Sequence, residues 1–214
     1  MKPPAYTTIL GIETSCDETA AAVLDGEGHV LANVISSQQT VHERFGGVVP
    51  ELASRAHIQN VDHVTRQALD AAGLTWQDLG AIAVTQGPGL AGALLVGISY
   101  AKSLAYALGI PLVGVSHLEG HIASAWIDRP SFPRTCVVLI ASGGHTHLFH
   151  ATEHGGFHLM GRTIDDAAGE AFDKGAQMLG LGYPGGPLID AAARKGSPAA
   201  VRFPRSRVRT GQLD

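Results

Sequence analysis

Residues 7–36, TTILGIETSCDETAAAVLDGEGHVLANVIS, carry the pattern from which the fold can be predicted. They contain three short apolar runs bounded by turn residues, which is the pattern of β-strands. The predicted strands cover residues 7–12, 20–24 and 30–35. A polar turn at residues 13–19 separates the first two strands, and Asp-Gly-Glu-Gly at residues 25–28 forms a hairpin turn. A long amphipathic helix is predicted at residues 51–72, so the stretch predicts a three-stranded meander followed by a helix.

The same order of elements returns in the second half of the chain. Its predicted strands and helix cover residues 136–141, 147–151, 157–162 and 166–179, with a polar turn at residues 142–146. A duplicated meander followed by helices is the organisation of the actin-like ATPase, sugar kinase and Hsp70 fold, an α/β class related to ribonuclease H. We therefore predict duplicated β-β-β-α-β-α units with an incomplete second half.

This organisation predicts an N-terminal actin-like lobe over residues 1–130 and the start of a second lobe over residues 131–204. Pro-Ser-Phe-Pro at residues 130–133 suits the boundary between them. Residues 205–214 depart from the pattern and predict a disordered tail. Between the two meanders, a helix is predicted over residues 90–108. Its small residues recur every four positions, which is typical of core packing: Ala93, Gly97, Ala101 and Ala105.

The composition allows a sizeable buried core, since 45% of the 214 residues are apolar and 16% are charged. The net charge is −4, so bulk charge alone does not favour binding to nucleic acid.

Two cysteines without a Cys-x-x-Cys motif suit a reducing cytosol. The first six residues lack the apolar core of a signal peptide. Lys102 and Pro111 interrupt the most apolar stretch, so we expect a buried helix and strand there and no membrane span.

Two histidines follow the strand predicted at residues 112–115. His117 and His121 are four residues apart, and positions i and i+4 lie on one face of a helix. Both imidazoles can then point at one metal ion at the mouth of an α/β sheet. Two ligands are too few for a closed site, so a third must come from elsewhere. The alternative is a helix start that happens to carry two polar residues.

Two glycine-rich loops predict anion binding in the second half. Ser142, Gly143 and Gly144 can turn backbone N–H groups toward an anion, and the Ser142 hydroxyl adds a donor. Gly-Tyr-Pro-Gly-Gly-Pro at residues 182–187 precedes a helix predicted near Pro187, with one carboxylate in its first turn. Either loop alone could be an ordinary turn, but two loops in one half favour nucleotide binding.

Carboxylates are dense in the first polar turn, where Glu13, Asp17 and Glu18 lie within six residues. Such density suits the orientation of a metal, a water or an amine. Asp165 and Asp166 stand at the start of the helix predicted at residues 166–179, which predicts that they cap it. Glu170 and Asp173 could bind a ribose hydroxyl, or could simply face solvent. The sequence contains no Gly-x-Ser-x-Gly, His-Glu-x-x-His or Walker-type Gly-Lys-Ser/Thr motif. A zincin-type peptidase is therefore poorly supported.

Together these residues resemble one family, the bacterial tRNA N6-adenosine threonylcarbamoyltransferases. Seven motifs match in order over about residues 7–204. They are IETSCDET (12–19), FGGVVPELASR (45–55), GPGL (87–90), SHLEGH (116–121), ASGGHT (141–146), DDAAGEAFDK (165–174) and YPGGP (183–187). The resemblance implies transfer of a threonylcarbamoyl group from threonylcarbamoyl-AMP to N6 of the adenosine 3′ of the anticodon, in tRNAs that read codons beginning with A.

The resemblance also implies ligands and partners. It implies one divalent metal ion held by His117, His121 and a later aspartate, with Fe²⁺ expected in preference to Zn²⁺. It implies that threonylcarbamoyl-AMP, or ATP or ADP, binds at residues with these positions: Ile140, Ala141, Ser142, Gly143, Gly144, Asp173, Gly186 and Asp190. The expected partners are tRNA, a catalytically silent paralogue and a small ATPase subunit, in the cytoplasm, with neither membrane nor DNA. We assign the proton acceptor to Asp17 or Glu18.

One departure from the family pattern matters. Family members continue for more than a hundred further residues, whereas this sequence stops at Asp214 with a basic, off-pattern tail. We therefore expect exposed apolar faces in the second half and weak activity alone. Two alternatives remain: a non-catalytic scaffold like the silent paralogue, which lacks the two histidines, and a sugar kinase of the same fold. The helices at residues 51–72 and 90–108 are either a protein–protein face or simply packed together.

Overall fold

The computed structural model describes residues 8–127, 129, 131–153 and 156–204. The chain forms two compact units, residues 1–130 and residues 131–214. The tail predicted at residues 205–214 lies outside the described residues.

The first unit contains a five-stranded mixed sheet. Its strands are β1 (Thr8–Glu13), β2 (Glu18–Asp25), β3 (Val30–Ser37), β4 (Ala81–Gly87) and β5 (Leu112–Ser116). They lie in the order β3-β2-β1-β4-β5. The meander β1-β2-β3 is antiparallel, and β4 is parallel to both β1 and β5. The predicted meander is confirmed, although its polar turn is shorter because pairing continues to Glu13 opposite Ala20.

The first unit contains the helices α1 (Gln39–His42), α2 (Pro50–Ala72), α3 (Ala91–Leu108) and α4 (His117–Ala123). Of these, the long helices α2 and α3 cover one face of the sheet. Helix α2 packs on β2 and β3, helix α3 packs on β4, and the two helices pack on each other. The core forms because every second residue of β1 and β2 points at these helices. Its fully or nearly fully buried members include Leu10, Ile12, Ala21, Val23, Val64 and Ala68.

Helix α3 is, among the described residues, the one helix whose length and composition would allow it to cross a membrane. Its small-residue stripe is nevertheless buried inside the unit, as predicted: Ala93, Gly97, Ala101 and Ala105. The Thr14 hydroxyl donates to the Ala93 carbonyl at 2.9 Å. A Cβ at Gly97 would lie 2.3 Å from Thr14 Oγ1. Glycine is therefore required for the close approach of α3 to the turn after β1.

The second unit repeats the meander. Strands β6 (Cys136–Ala141), β7 (Thr146–Ala151) and β8 (Phe157–Arg162) form an antiparallel sheet in the order β6-β7-β8. Helices α5 (Ala168–Met178) and α6 (Gly185–Ala193) follow and pack together. Large apolar side chains are exposed in this unit, as the sequence predicted, among them Val137 and Met178 at 61% and 89% exposure.

Helix α5 begins two residues later than predicted. Asp166 does not cap it, since the N-cap residue is Ala167 and makes no side-chain bond. The Asp166 carboxylate instead pairs with Lys174 at 2.8 Å. The hydroxyl of Thr163 donates to Asp165 at 2.9 Å. The two aspartates are thus engaged by neighbouring side chains, and the predicted capping role is wrong.

Candidate functional site

The two histidines face each other across one turn of α4. Strand β5 ends at Ser116, whose hydroxyl caps the helix by accepting from the Glu119 N–H at 3.4 Å. His117 is the first helical residue, and His121 follows one turn later. The Nε2 atoms of the two rings are 3.1 Å apart, and the rings meet edge to face with centroids 4.5 Å apart. The i, i+4 spacing thus converges the two nitrogens on one point.

Glu13 supports this pair from the end of β1. Its Oε2 lies 3.1 Å from His117 Nδ1 and accepts from the Thr85 hydroxyl at 2.7 Å. Its other oxygen accepts from the Ser15 N–H, and the Ser15 hydroxyl lies 3.1 Å from the same His117 nitrogen. Burial alone would raise the pKa of Glu13, but hydrogen bonds from His117, Ser15 and Thr85 outweigh it and lower the pKa to about 2.

The ionised Glu13 carboxylate can only accept, so it fixes the proton of His117 on Nδ1. The Nε2 lone pair of His117 then faces His121. Burial, with a smaller effect from neighbouring His117, lowers the pKa of His121 and favours its neutral, metal-binding form. The His121 ring is therefore favoured as a neutral ligand.

The spacing of the two Nε2 atoms fits a shared metal. Nitrogens bound tetrahedrally at about 2.0–2.1 Å from zinc lie about 3.3–3.4 Å apart, close to the 3.1 Å found here. Glu13 on the far nitrogen of His117 is the carboxylate–histidine arrangement that orients metal ligands. Within the described residues, no group of three or more His, Cys, Asp or Glu side chains could hold a metal. The chain thus presents two converging imidazole nitrogens and a carboxylate that orients one of the rings.

The two proposed proton acceptors lie on the turn between β1 and β2. Asp17 is half-buried, and its main-chain carbonyl accepts from the Gln38 N–H at 3.0 Å. Glu18 is exposed and opens β2. In the part of the chain that the structure describes, no hydrogen bond joins either carboxylate to His117 or His121. Glu13 is instead the carboxylate at the pair.

Ser15 is the site residue that the sequence did not point to, and Glu13 was predicted only as one of three carboxylates, without its link to His117. A signal for Glu13 was available, because β1 and β5 flank β4 as parallel neighbours and their carboxyl ends meet at one edge. A carboxylate ending β1 could therefore have been expected beside a histidine that follows β5. No comparable signal points to Ser15.

The loop between β6 and β7 is tied to the start of α5. The Ser142 hydroxyl lies 3.1 Å from the His145 N–H and 3.3 Å from the His145 carbonyl. This serine therefore closes the turn, and the expectation that its hydroxyl is a free donor is wrong. The Ser142 carbonyl accepts from Gly169 at 3.0 Å, and a Cβ at Gly169 would lie 2.7 Å from the Gly143 nitrogen. Glycine is needed at this close approach.

The backbone N–H groups of Gly143 and Gly144 remain for an anion. Both residues are exposed, and within the described residues neither N–H has a hydrogen-bond partner. A cavity of about 390 Å³ opens beside Gly144 and extends to Arg162 and Glu170. Ile140 is 7% exposed, so only its main chain could face a ligand, while Ala141 is exposed at the end of β6.

Asp173 holds the second glycine loop. Its Oδ1 accepts from the Gly185 N–H at 2.7 Å, at the first residue of α6. A Cβ at Gly185 would lie 2.5 Å from the Phe172 carbonyl, so the start of α6 sits directly on α5. Gly186 has open space where a Cβ would be. Asp190 is exposed and pairs with Arg194 at 2.8 Å, one turn along. Asp173 thus contacts the glycine loop, whereas Asp190 forms an ion pair with Arg194.

Comparisons with known proteins show the family of this chain. The family model for TsaD, tRNA N6-adenosine threonylcarbamoyltransferase, matches residues 29–213. The chain is 55% identical over 206 residues to the tRNA N6-adenosine threonylcarbamoyltransferase of Clostridium perfringens (strain SM101 / Type A), covering 96% of this chain and 61% of that protein. It is 56% identical over 208 residues to the enzyme of Moorella thermoacetica, covering 97% and 61%. The chain spans about three fifths of the length of these relatives.

Solved structures share the fold. YeaZ from Pseudomonas aeruginosa superposes with a TM-score of 0.51 at 22% identity, over 76% of this chain and 72% of that one. The ethanolamine utilization protein EutJ from Carboxydothermus hydrogenoformans gives a TM-score of 0.50 at 17% identity, over 89% and 61%. At such identities the likeness shows the fold alone, which is the predicted actin-like ATPase fold. By its family model and its relatives, the chain belongs to the tRNA N6-adenosine threonylcarbamoyltransferase family.

Proposed function

We propose that this chain carries the metal-binding and adenylate-binding residues of a tRNA acyltransferase. The reaction moves threonylcarbamoyl from threonylcarbamoyl-AMP to N6 of the adenosine 3′ of the anticodon, in tRNAs that read codons beginning with A. The observation that carries the proposal is the convergence of His117 and His121, with Glu13 behind them. The two alternatives, a scaffold paralogue and a sugar kinase, are expected to lack this pair of histidines.

The metal ligands of this proposal are His117 and His121. Imidazole nitrogens suit Fe²⁺ and Zn²⁺, and we propose Fe²⁺ before Zn²⁺ because of the family resemblance. The bound ion would supply a Lewis acid for the carbamoyl carbonyl. The chain's own task is to keep the proton of His117 on Nδ1, which Glu13 does at 3.1 Å. That proton position leaves Nε2 available as a ligand.

We propose that the adenylate binds the second unit. The exposed N–H groups of Gly143 and Gly144 suit a phosphate, and Ile140 and Ala141 lead into this loop. Ser142 would act by closing the turn with its hydroxyl, and not by donating that hydroxyl to the ligand. Further contacts would come from Asp173 in α5, which accepts from the first residue of α6, and from Gly186 and Asp190 within α6. An aspartate at the Asp190 position would have to exchange its Arg194 ion pair for a ligand hydroxyl. ATP or ADP would use the same contacts.

The transfer step balances without a further reactant. The N6 nitrogen forms a bond to the carbamoyl carbon, and the bond from that carbon to the phosphate oxygen breaks, so AMP leaves. The proton lost from N6 must go to a base, which we assign to Asp17 or Glu18. Asp17 is the better placed of the two, because the turn that carries it also carries Ser15, a neighbour of His117.

The proposed partners follow from the family resemblance. They are tRNA, a catalytically silent paralogue and a small ATPase subunit, in the cytoplasm and without membrane or DNA. The paired helices α2 and α3 are our candidate for the paralogue contact. Ile58 and Leu95 are 66% and 63% exposed there, and such apolar residues gain from being covered.

A binding experiment with three variants tests the proposal. We expect His117→Ala to lose bound metal, measured by elemental analysis, and to keep binding a non-hydrolysable adenylate analogue, measured by calorimetry. Asp173→Ala should keep the metal and lose the analogue. The control is His63→Ala, which removes an exposed histidine of α2 and should change neither. Metal content in His117→Ala equal to that of the unmodified chain would overturn the metal site.

A further inference from the structure

Three polar side chains are buried behind the turn that carries Ser15. Gln38, His42 and His57 are between 0% and 2% exposed, and they belong to neither the metal pair nor the adenylate loops. Polar groups that are buried without hydrogen bonds destabilise a fold, so their partners reveal what they hold in place.

His57 bonds at both ring nitrogens. Its Nε2 lies 2.9 Å from the Cys16 carbonyl, which can only accept, so Nε2 carries the proton. Its Nδ1 lies 2.8 Å from the Thr19 hydroxyl, which therefore donates. Burial lowers the pKa of His57 and keeps the ring neutral. Thr19 thus selects the tautomer with which His57 holds the carbonyl of Cys16.

A second series of hydrogen bonds reaches the same turn through Gln38. The Val49 N–H donates to His42 Nδ1 at 3.3 Å, and His42 Nε2 lies 3.2 Å from Gln38 Oε1. The amide nitrogen of Gln38 is 3.4 Å from His57 Nδ1. The backbone N–H of Gln38 donates to the Asp17 carbonyl at 3.0 Å. The start of α2 is thereby connected to the turn after β1.

These bonds hold three consecutive carbonyls of one turn. The carbonyl of Ser15 accepts from the Leu90 N–H at 2.8 Å, that of Cys16 from His57, and that of Asp17 from Gln38. With its backbone so fixed, Ser15 places its hydroxyl 3.1 Å from His117 Nδ1. Its N–H donates to the carboxylate of Glu13.

We propose that His57, oriented by Thr19, is a positioning residue for the histidine pair: by holding the Cys16 carbonyl it keeps Ser15 against His117 and Glu13. The inference rests on the proposed function, since it takes His117 as a metal ligand. His57 touches neither histidine of the pair, so its effect must pass through Ser15.

A double-mutant cycle tests this path, because residues that act through one another are not additive. Thr19→Val keeps the shape of the side chain and removes the donor to His57. It should lower zinc affinity about tenfold, the lower end of the effect of removing an outer-shell partner. In a Ser15→Ala background the same change should lower affinity by less than about twofold. Thr19→Ser, which restores the hydroxyl, should bind zinc as the unmodified chain does.

A second measurement needs no metal. The ¹⁵N resonances of the His117 ring, recorded on metal-free protein, should move in Thr19→Val and stay in place in Thr19→Ser. The matched control is Thr65→Val, a buried threonine of α2 whose hydroxyl bonds within its own helix. That variant loses stability without moving the resonances or the affinity.

The two failures are distinguishable. Unmoved His117 resonances in folded Thr19→Val, or equal losses of affinity with and without Ser15, overturn the positioning role. A chain that binds no zinc overturns the metal site of the proposed function, while the resonances still decide whether His57 positions His117.

Discussion

Replacing Glu13 by glutamine should weaken both stability and metal binding. Folding lowers the pKa of Glu13 from 4.5 to about 2. At about 1.4 kcal/mol per pKa unit this corresponds to about 3 kcal/mol. About a third of the side chain, 32%, remains exposed, and solvent screening there reduces the expected contribution to about 1–2 kcal/mol.

The sign of the pH dependence follows from the direction of the pKa change. A carboxylate whose pKa falls on folding stabilises the native state above its unfolded pKa, and that contribution is lost as pH decreases through the folded pKa. The free energy of unfolding should therefore be about 1–2 kcal/mol lower in Glu13→Gln than in the unmodified chain at pH 6–7. The difference should shrink below pH 4.5 and approach zero near pH 2.

The same substitution should affect the metal. A glutamine amide can place an NH₂ group where Oε2 accepts from His117, so the ring proton moves to Nε2 and blocks the lone pair. We expect zinc affinity to fall 10- to 100-fold. Urea unfolding from pH 7 to pH 3 and zinc titration at pH 7 measure the two effects, with the exposed Glu43→Gln as the control. A stability difference that does not change with pH, together with unaltered zinc affinity, would refute the reasoning.

Three further substitutions test the packing around the two sites. Gly97→Ala places a Cβ 2.3 Å from Thr14 Oγ1 and should lower the free energy of unfolding in urea by about 1–3 kcal/mol. Adding Thr14→Ala should recover part of this loss, and strictly additive effects of the two substitutions would contradict the clash. Asp173→Asn weakens the bond to the Gly185 N–H and should cost about 1 kcal/mol; unchanged thermal unfolding would argue against this contact. Ser116→Ala removes the cap of α4 and should lower the free energy of unfolding by about 1 kcal/mol and also lower the zinc affinity. A variant with lower stability and unchanged zinc affinity would show that the cap does not affect the site.

Local sequence patterns account for the elements and their repetition. Apolar alternation and turn residues act over a few positions, so the meander at residues 7–36 and its copy at residues 136–162 could be predicted with nearly correct bounds. The convergence of His117 and His121 was equally local, because one helical turn brings i and i+4 to the same face.

Local sequence patterns did not predict the partners of two polar side chains that have several possible partners nearby. Ser142 was expected to donate to an anion, but the turn brings the His145 backbone within 3.3 Å and occupies the hydroxyl. Asp166 was expected to cap α5, but Lys174, two turns along that helix, is the better partner for a carboxylate. Each outcome depended on a competition between partners that residue type alone does not decide.

The surroundings of the histidine pair depend on contacts between residues that are distant in the sequence. Glu13 and His117 are 104 positions apart, and Thr19 and His57 are 38 apart. The first pair meets because β1, β4 and β5 align in parallel and end at one edge of the sheet. The second meets because α2 packs across β2. Such contacts are created by the pairing and packing of whole elements, which no short stretch of sequence encodes.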